Sequence, residues 1–225
     1  MNWPDYPIDN RPDTLFLDVD GTLHPGTTAY LVALEMKRRG LVKGSFFRRA
    51  IWFGLQHRFG RLNYEQLIDD ALKMIQHVPV IDLERMSYEC FARDVKPNLF
   101  PNLESHLDSL RKTGSRLVLV SSSLRHSLEP LRIYLGAEEI ISTPIIERRG
   151  FLTSRGPGPA CYGPGKLHWA QLWCELNQVD IKKCAAYGDN YSDHYLMQAT
   201  GWPVAVRPSR NLRRHAIHQG WQIVD

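Results

Sequence analysis

"LFLDVDGTLHPG", residues 15–26, sets an apolar run against two aspartates, Asp18 and Asp20, with a glycine and a threonine directly behind them. The run from about Thr14 to Val19 does not alternate between apolar and polar, which is the pattern of a strand covered on both faces in a parallel sheet. Folding gives such a strand no reason to end in two carboxylates, so they point to chemistry. Catalytic groups in open α/β sheets gather at the carboxyl ends of the strands. In extended backbone, residues i and i+2 share a face, so Asp18 and Asp20 can reach one centre. Gly21 permits a tight turn away from the strand, and Thr22 can hydrogen-bond to hold the loop.

Outward from this stretch, the chain changes character twice. Residues from about Thr27 to Val95 read as helices. "TTAYLVALEMKRRG" has helical apolar spacing and ends in basic residues and Gly40. "GSFFRRAIWFGLQHRFG" is a second helix. "NYEQLIDDALKMIQHV" opens with Asn63 and Gln66 in capping-box spacing. "IDLERMSYECFARDV" is a fourth, stopped by Pro97. Strand and helix then alternate. "RLVLV" ends at Ser121, "KKCAAYG" and "PVAVR" are later strands, and "IIERRGFLTSR" is a hairpin turning at Arg149-Gly150. Alternation of this kind gives a doubly wound parallel sheet, a Rossmann-like α/β core. The helical block is then an inserted all-helical cap domain at 26–96, with 1–25 and 97–225 forming the core.

Composition narrows the class. The 225 residues are 43% hydrophobic and 23% charged, enough for a real core and against disorder. No apolar run approaches the ~20 residues of a membrane-spanning helix, and the acidic, Pro-rich start is unlike a signal peptide. A cytoplasmic protein is the expectation. The four cysteines show no zinc spacing and suit reduced thiols. A net charge of +4 suits a phosphorylated small molecule but falls short of a nucleic-acid footprint. "KRRG" and "RNLRRH" read as solvated helix ends. The aromatic stretch "SFFRRAIWFGLQHRF" reads as packing within the cap. As an alternative, Phe46, Phe47, Trp52, Phe53 and Phe59, with Arg48, Arg49 and Arg58, would suit a face touching lipid.

Four segments bring polar groups to the expected catalytic edge: Asp18 and Asp20; "SSS" at Ser121–Ser123; Lys166 after "GPG"; and "GDNYSD" with Asp189 and Asp193. Paired carboxylates could hold Mg²⁺, and a hydroxyl, amides and a lysine could bind phosphoryl oxygens. The ordered set resembles the haloacid dehalogenase-like phosphohydrolases, over about Leu15 to Val224. "GRLNYEQLIDDAL", the segment "IIERRGFLTSRGPGPACYGPGK" and the tail resemble the bacterial phosphoserine-phosphatase-like members, which carry a helical cap of the first type.

The resemblance implies a Mg²⁺-dependent phosphomonoesterase working through an aspartyl-phosphate. Asp18 would be the nucleophile and Asp20 the general acid and base. Mg²⁺ would be held by Asp18, Asp189 and the Asp20 backbone carbonyl. Gly21, Thr22, Ser121, Ser122 and Lys166 would serve the phosphoryl group. Asp193, with Asn190 beside it, would orient Lys166 or metal-bound water. His24 falls near the mouth of the site, as a loop residue or a substrate contact, and Cys161 as a structural thiol. A dehalogenase would lack Asp20, and a glycosyltransferase DxD would not be followed by "GTL".

One departure matters. Phosphoserine phosphatases carry a glutamate shortly after the first motif and a cap arginine, but no acid follows Asp20 before Glu35. Phosphoserine is therefore not the expected substrate. A phosphorylated small molecule is, with a lipid phosphate such as a phosphatidylglycerol phosphate as the alternative and a catalytically silent module as the reading from another class.

Overall fold

Leu15, Leu17 and Val19 pack into one hydrophobic layer while Phe16 packs into a second, and all four are fully buried. That two-sided burial is what the unalternated run predicted. The computed structural model describes residues 1–7, 10–42 and 64–225. Its first strand, β1 (Thr14–Leu17), ends two residues before the predicted boundary, because the backbone turns where Thr22 and Leu23 both donate to the Val19 carbonyl.

Three helices follow among the described residues: α1 (Thr28–Arg38), α2 (Tyr64–Ile75) and α3 (Val80–Cys90). The predicted second helix at 44–60, with its aromatic face, lies outside the described residues, as does Asn63 of the capping box. Helical backbone continues past α3 through a wider turn to Val95, the predicted end, and closes in a single 3-10 turn at Lys96–Asn98 that holds Pro97. It sits in the opening turn of that last segment, where its missing N–H has no partner to lose.

The remaining elements alternate as expected. They run α4 (Leu103–Lys112), β2 (Arg116–Val120), α5 (Arg125–Leu135), β3 (Glu139–Ile141), then the hairpin β4 (Ile145–Arg148) and β5 (Phe151–Arg155). After these come α6 (Pro164–Asn177), β6 (Cys184–Gly188), α7 (His194–Ala199), β7 (Trp202–Val206), α8 (Arg210–Gln219) and β8 (Gln222–Val224). The six-stranded sheet has the order β3-β2-β1-β6-β7-β8, and every pairing in it is parallel. The chain therefore builds outward on one side of β1, then crosses back to build on the other. The crevice between β1 and β6 is the topological switch point, the place where open α/β sheets bind ligands.

The helices α1–α3 have a core of their own, built around Met36, Leu72 and Met86. The β4–β5 hairpin joins it. Its turn has Arg149 and Gly150 both at positive φ, 51° and 79°, the geometry of a tight two-residue hairpin. Gly150 accepts from the Val80 amide, Leu152 packs in the cap's core, and Arg155 pairs with Asp69 at 2.8 Å. The cap helices are thus buttressed by a hairpin that leaves the core after β3. The "RNLRRH" cluster falls at the start of α8 rather than at a helix C-terminus, and Arg213 is tied to Asp225. No helix among the described residues is long and apolar enough to cross a membrane.

Candidate active site

Asp18 continues directly from β1, its amide still bonded to the Tyr187 carbonyl of β6 at 3.0 Å. Its side chain, 8% exposed, is gripped on both oxygens. Thr22 Oγ1 donates to Oδ2 at 2.7 Å, and Lys166 Nζ donates to Oδ1 at 2.6 Å. A carboxylate held by two donors cannot rotate. It is fixed facing the crevice.

Lys166 reaches this point from the first turn of α6. Gly165 allows it: a side chain there would collide with the Ala160 carbonyl, so the helix start could not lie so close to the preceding loop. Lys166 Nζ also donates to Asp193 Oδ1 at 2.6 Å, making a buried carboxylate–ammonium–carboxylate triad. Burial would by itself strip the ammonium of its proton, but the two carboxylates overcome it and hold Lys166 well above its ordinary range. Asp193 spends its second oxygen on the Asn190 amide at 3.0 Å, while the Asn190 side chain accepts from the Ser192 amide. This reciprocal cap fixes the turn after β6. It also locates Asn190, whose role in the sequence pattern was the least defined.

Asp189 has no comparable cation among the described residues. It lies against Gly21, whose φ of +92° and lack of a side chain are both needed, since a Cβ would overlap the Asp189 carboxylate. Burial, then the charges of Asp18 and Asp193, push the Asp189 carboxyl up to about 8. Asp18 is pushed up to about 6, again by burial, with Asp193 adding and Lys166 and Thr22 opposing. Carboxylate oxygens of Asp18, Asp189 and Asp193 lie within 4.8 Å of one another. Oxygen-only donors, crowded and short of positive charge, fit a hard divalent cation such as Mg²⁺. Asp18 and Asp193 both have their two oxygens engaged by protein donors, whereas Asp189 has no such donor from another residue among the described residues and faces the cluster with its carboxylate available.

Asp20 has a different environment. Its Oδ1 accepts from the Thr28 amide at 2.8 Å and from Thr28 Oγ1 at 2.6 Å, and its Oδ2 accepts from Ser123 Oγ at 2.8 Å. Burial raises its pKa, but these donors, with His24, outweigh it and hold the carboxyl below the usual range. His24 is not at the mouth of the site. It is 1% exposed beneath Asp20, with Nδ1 accepting from the Gly26 amide at 3.1 Å. That bond leaves Nε2 to carry the proton, directed at Thr28 Oγ1 (3.3 Å) and Asp20 Oδ1 (3.5 Å). Thr28 was not singled out from the sequence, and Ser123 was named only as part of the serine run, with no role at Asp20. Thr28 opens α1 eight residues past Asp20, and only the fold of the intervening turn brings it back.

Of the predicted serines, Ser122 and Ser123 line the crevice, and Ser121 lies just below it with its hydroxyl accepting from the Ser123 amide at 3.1 Å. Cys161 is fully buried, its thiol near the Ile141 carbonyl and pushed up to about 12 by burial. Glu35, the first acid after Asp20, faces Arg39 and Arg93 at 2.9 and 3.2 Å and does not line the crevice.

Comparison with known proteins agrees with this geometry. The family model of the haloacid dehalogenase-like hydrolases matches residues 15–198. An "inhibition of morphological differentiation protein" from Streptomyces azureus is 30% identical over 132 residues, 58% of this chain and 47% of that protein. Phosphoserine phosphatase SerB1 of Mycobacterium tuberculosis is 26% identical over 223 residues, 93% of this chain and 70% of its own. The chain thus spans about half of the first relative and over two thirds of the second. A Bordetella pertussis protein of unknown function superposes with a TM-score of 0.86 at 24% identity, covering 96% of this chain and 99% of that one. The match runs from β1 through α7 and takes in every charged group of the crevice, and the chain belongs to the haloacid dehalogenase-like hydrolases, among those resembling phosphoserine phosphatases.

Proposed function

We propose that the protein is a phosphatase, cleaving phosphate monoesters of small molecules through an aspartyl-phosphate on Asp18, with residues 26–96 as a cap over the core formed by 1–25 and 97–225. One observation carries the reading: the Asp18–Lys166–Asp193 triad sits at the switch point beside a second, separately hydrogen-bonded aspartate, Asp20. A nucleophile and a proton carrier are thereby held in distinct electrostatic settings two residues apart.

The chemistry follows from those settings. A carboxylate oxygen of Asp18 attacks phosphorus in line, and the ester P–O bond breaks as the leaving oxygen takes a proton from Asp20. Without substrate, Asp20 is held as an acceptor. The negative phosphoryl group arriving beside it favours the protonated form it needs for this step. Asp20 then takes a proton from the attacking water, the bond between Asp18 and phosphorus breaks, and inorganic phosphate leaves. Lys166, with Ser121 and Ser122, would balance charge on the phosphoryl oxygens, whereas the Gly21 and Thr22 amides, expected to join them, are spent on the His24 and Val19 carbonyls and shape the turn instead. Asp18 and Asp189, with the Asp20 backbone carbonyl, would hold Mg²⁺, whose charge lowers the repulsion between an anionic nucleophile and an anionic ester. The cap would exclude bulk water from phosphorylated Asp18.

Phosphate release from p-nitrophenyl phosphate with Mg²⁺, compared with the Asp18→Asn protein, tests this directly. Turnover in the wild type that chelator and Asp18→Asn both remove is expected. Near-normal turnover in Asp18→Asn would remove the nucleophile from the scheme.

A further inference from the structure

The crevice opens upward into a cavity of about 760 Å³ between the core and the cap. That is room for roughly 25 water molecules at the ~30 Å³ each takes in the liquid, far more than a phosphoryl group needs. The chemical character of its lining is divided by height. Among the described residues that line it, the charged ones are Asp18, Asp20, Lys166, Asp189 and Asp193, all at the floor. Above them α1 contributes Tyr30, Val32, Ala33 and Met36, and α2 contributes Tyr64, Leu67, Ile68 and Ala71, with Val32, Met36 and Ile68 shared with the cap's packed core. On each helix these residues fall at helical spacing, so one continuous face of each turns toward the cavity.

Among the described residues, these walls offer an ionic organic group no opposite charge above the floor. A carboxylate or ammonium placed against them would lose its hydration without gaining a partner, at a cost of several kcal/mol per charge. The acid that could have met an ammonium, Glu35, is turned to Arg39 and Arg93 outside the cavity. Arg155, one of three arginines in the hairpin, is committed to Asp69 and Glu65. What the walls do reward is apolar area, at ~25 cal/mol per Å² removed from water.

From this division we infer that the substrates are phosphate monoesters whose organic part is a sizeable hydrocarbon group, lodged between α1 and α2 while the phosphate rests on the floor. The inference builds on the phosphatase reading and adds the substrate class to it. Tyr64 and Tyr162, stacked with centroids 4.2 Å apart, join the start of α2 to the loop before α6 beside the floor. They form an aromatic collar between the charged and apolar parts of the site.

The test is a series of n-alkyl monophosphates from propyl to octyl, kept below their aggregation concentrations, with phosphoserine and p-nitrophenyl phosphate alongside. The expected result is a kcat/KM that climbs roughly three- to fourfold per added methylene until the cavity is full, with phosphoserine below propyl phosphate. Ala71→Phe, which places a ring in the cavity from α2, should lower the octyl-to-propyl ratio by at least tenfold. The octyl-to-propyl ratio of inhibition by n-alkyl phosphonates on the wild type gives the same readout without a variant. A flat or falling series, or phosphoserine matching the longer alkyl esters, would overturn the inference and leave the phosphatase reading standing. Absence of phosphate release from every ester, p-nitrophenyl phosphate included, would instead count against the phosphatase reading.

Discussion

At the floor of the cleft, charged side chains from the ends of β1 and β6 and the start of α6 are packed within hydrogen-bonding reach of one another. On the walls, α1 and α2 present methyl and methylene groups over many ångströms, with no charge among the described lining residues. The floor's positions are specified by chemistry: Asp18, Lys166 and Asp193 form one ion triad at 2.6 Å contacts, and a change at any of them leaves a buried charge unpaired. The walls are specified only by volume and apolarity, so many side-chain combinations would serve. Reaction type is thus fixed on one surface, and substrate choice can drift on the other.

The largest effect that would break this comparison is at the floor. Asp18→Asn should lower kcat on p-nitrophenyl phosphate by at least ~10⁴-fold. Its midpoint of thermal unfolding is the second readout, because loss of the triad's charge balance acts on stability as well as on rate. Next comes the setting of the proton carrier. Thr28→Val removes one of the donors to Asp20 Oδ1 and should cut kcat on alkyl phosphates by roughly 10-fold or more, with KM little changed. On p-nitrophenyl phosphate, whose leaving group needs no proton, the loss should be clearly smaller. His24→Asn should show the same leaving-group dependence at a few-fold amplitude, since His24 acts through Thr28 and Asp20. Equal losses on alkyl and aryl esters would mean that these residues only support the loop.

The smallest effect concerns pH and metal. Asp18 and Asp189 hold protons more tightly in the fold than in the unfolded chain, with pKa values of about 6 and about 8 against 3.8. Their protonated forms favour folding, so the metal-free protein loses that contribution as pH rises through these values. A cation needs the charged forms and releases those protons as it binds. Mg²⁺ should therefore bind more tightly, and raise the unfolding temperature more, at pH 8 than at pH 6, as calorimetry can show. A metal effect that weakens with pH would separate the cation from these two carboxylates.

The same contrast explains what could be read from residues alone. Strand β1 and the groups at its end were legible because burial on both faces suppresses alternation, and because carboxylates after an apolar run have no packing reason to be there. Lys166 and Asp193 were legible as motif members, though only the fold shows that one ammonium bridges two carboxylates. Thr28 and Ser123 were not legible as partners of Asp20, since hydroxyl residues at a helix start or after a strand have commoner uses as caps. His24 was misplaced to the mouth because a proline-glycine pair after it suggests an exposed loop, whereas the turn folds its ring under Asp20. Pro97 was legible as a helix stop because a helix interior rejects proline, and the α-helical and wider turns do end at Val95, just before it. The apolar walls were legible as helical faces, but nothing in the spacing tells a face that fills a core from one that lines a cavity.

In the proposed aspartyl-phosphate scheme, Asp18 carries the phosphoryl group. Acid quenching during turnover, followed by borohydride reduction and peptide mass analysis, reads this directly, because an acyl phosphate is reduced to the alcohol. The account predicts homoserine at position 18, formed only when substrate and Mg²⁺ are present. Sustained phosphate release with Asp18 unmodified, or with the phosphoryl group trapped on another residue, would contradict it.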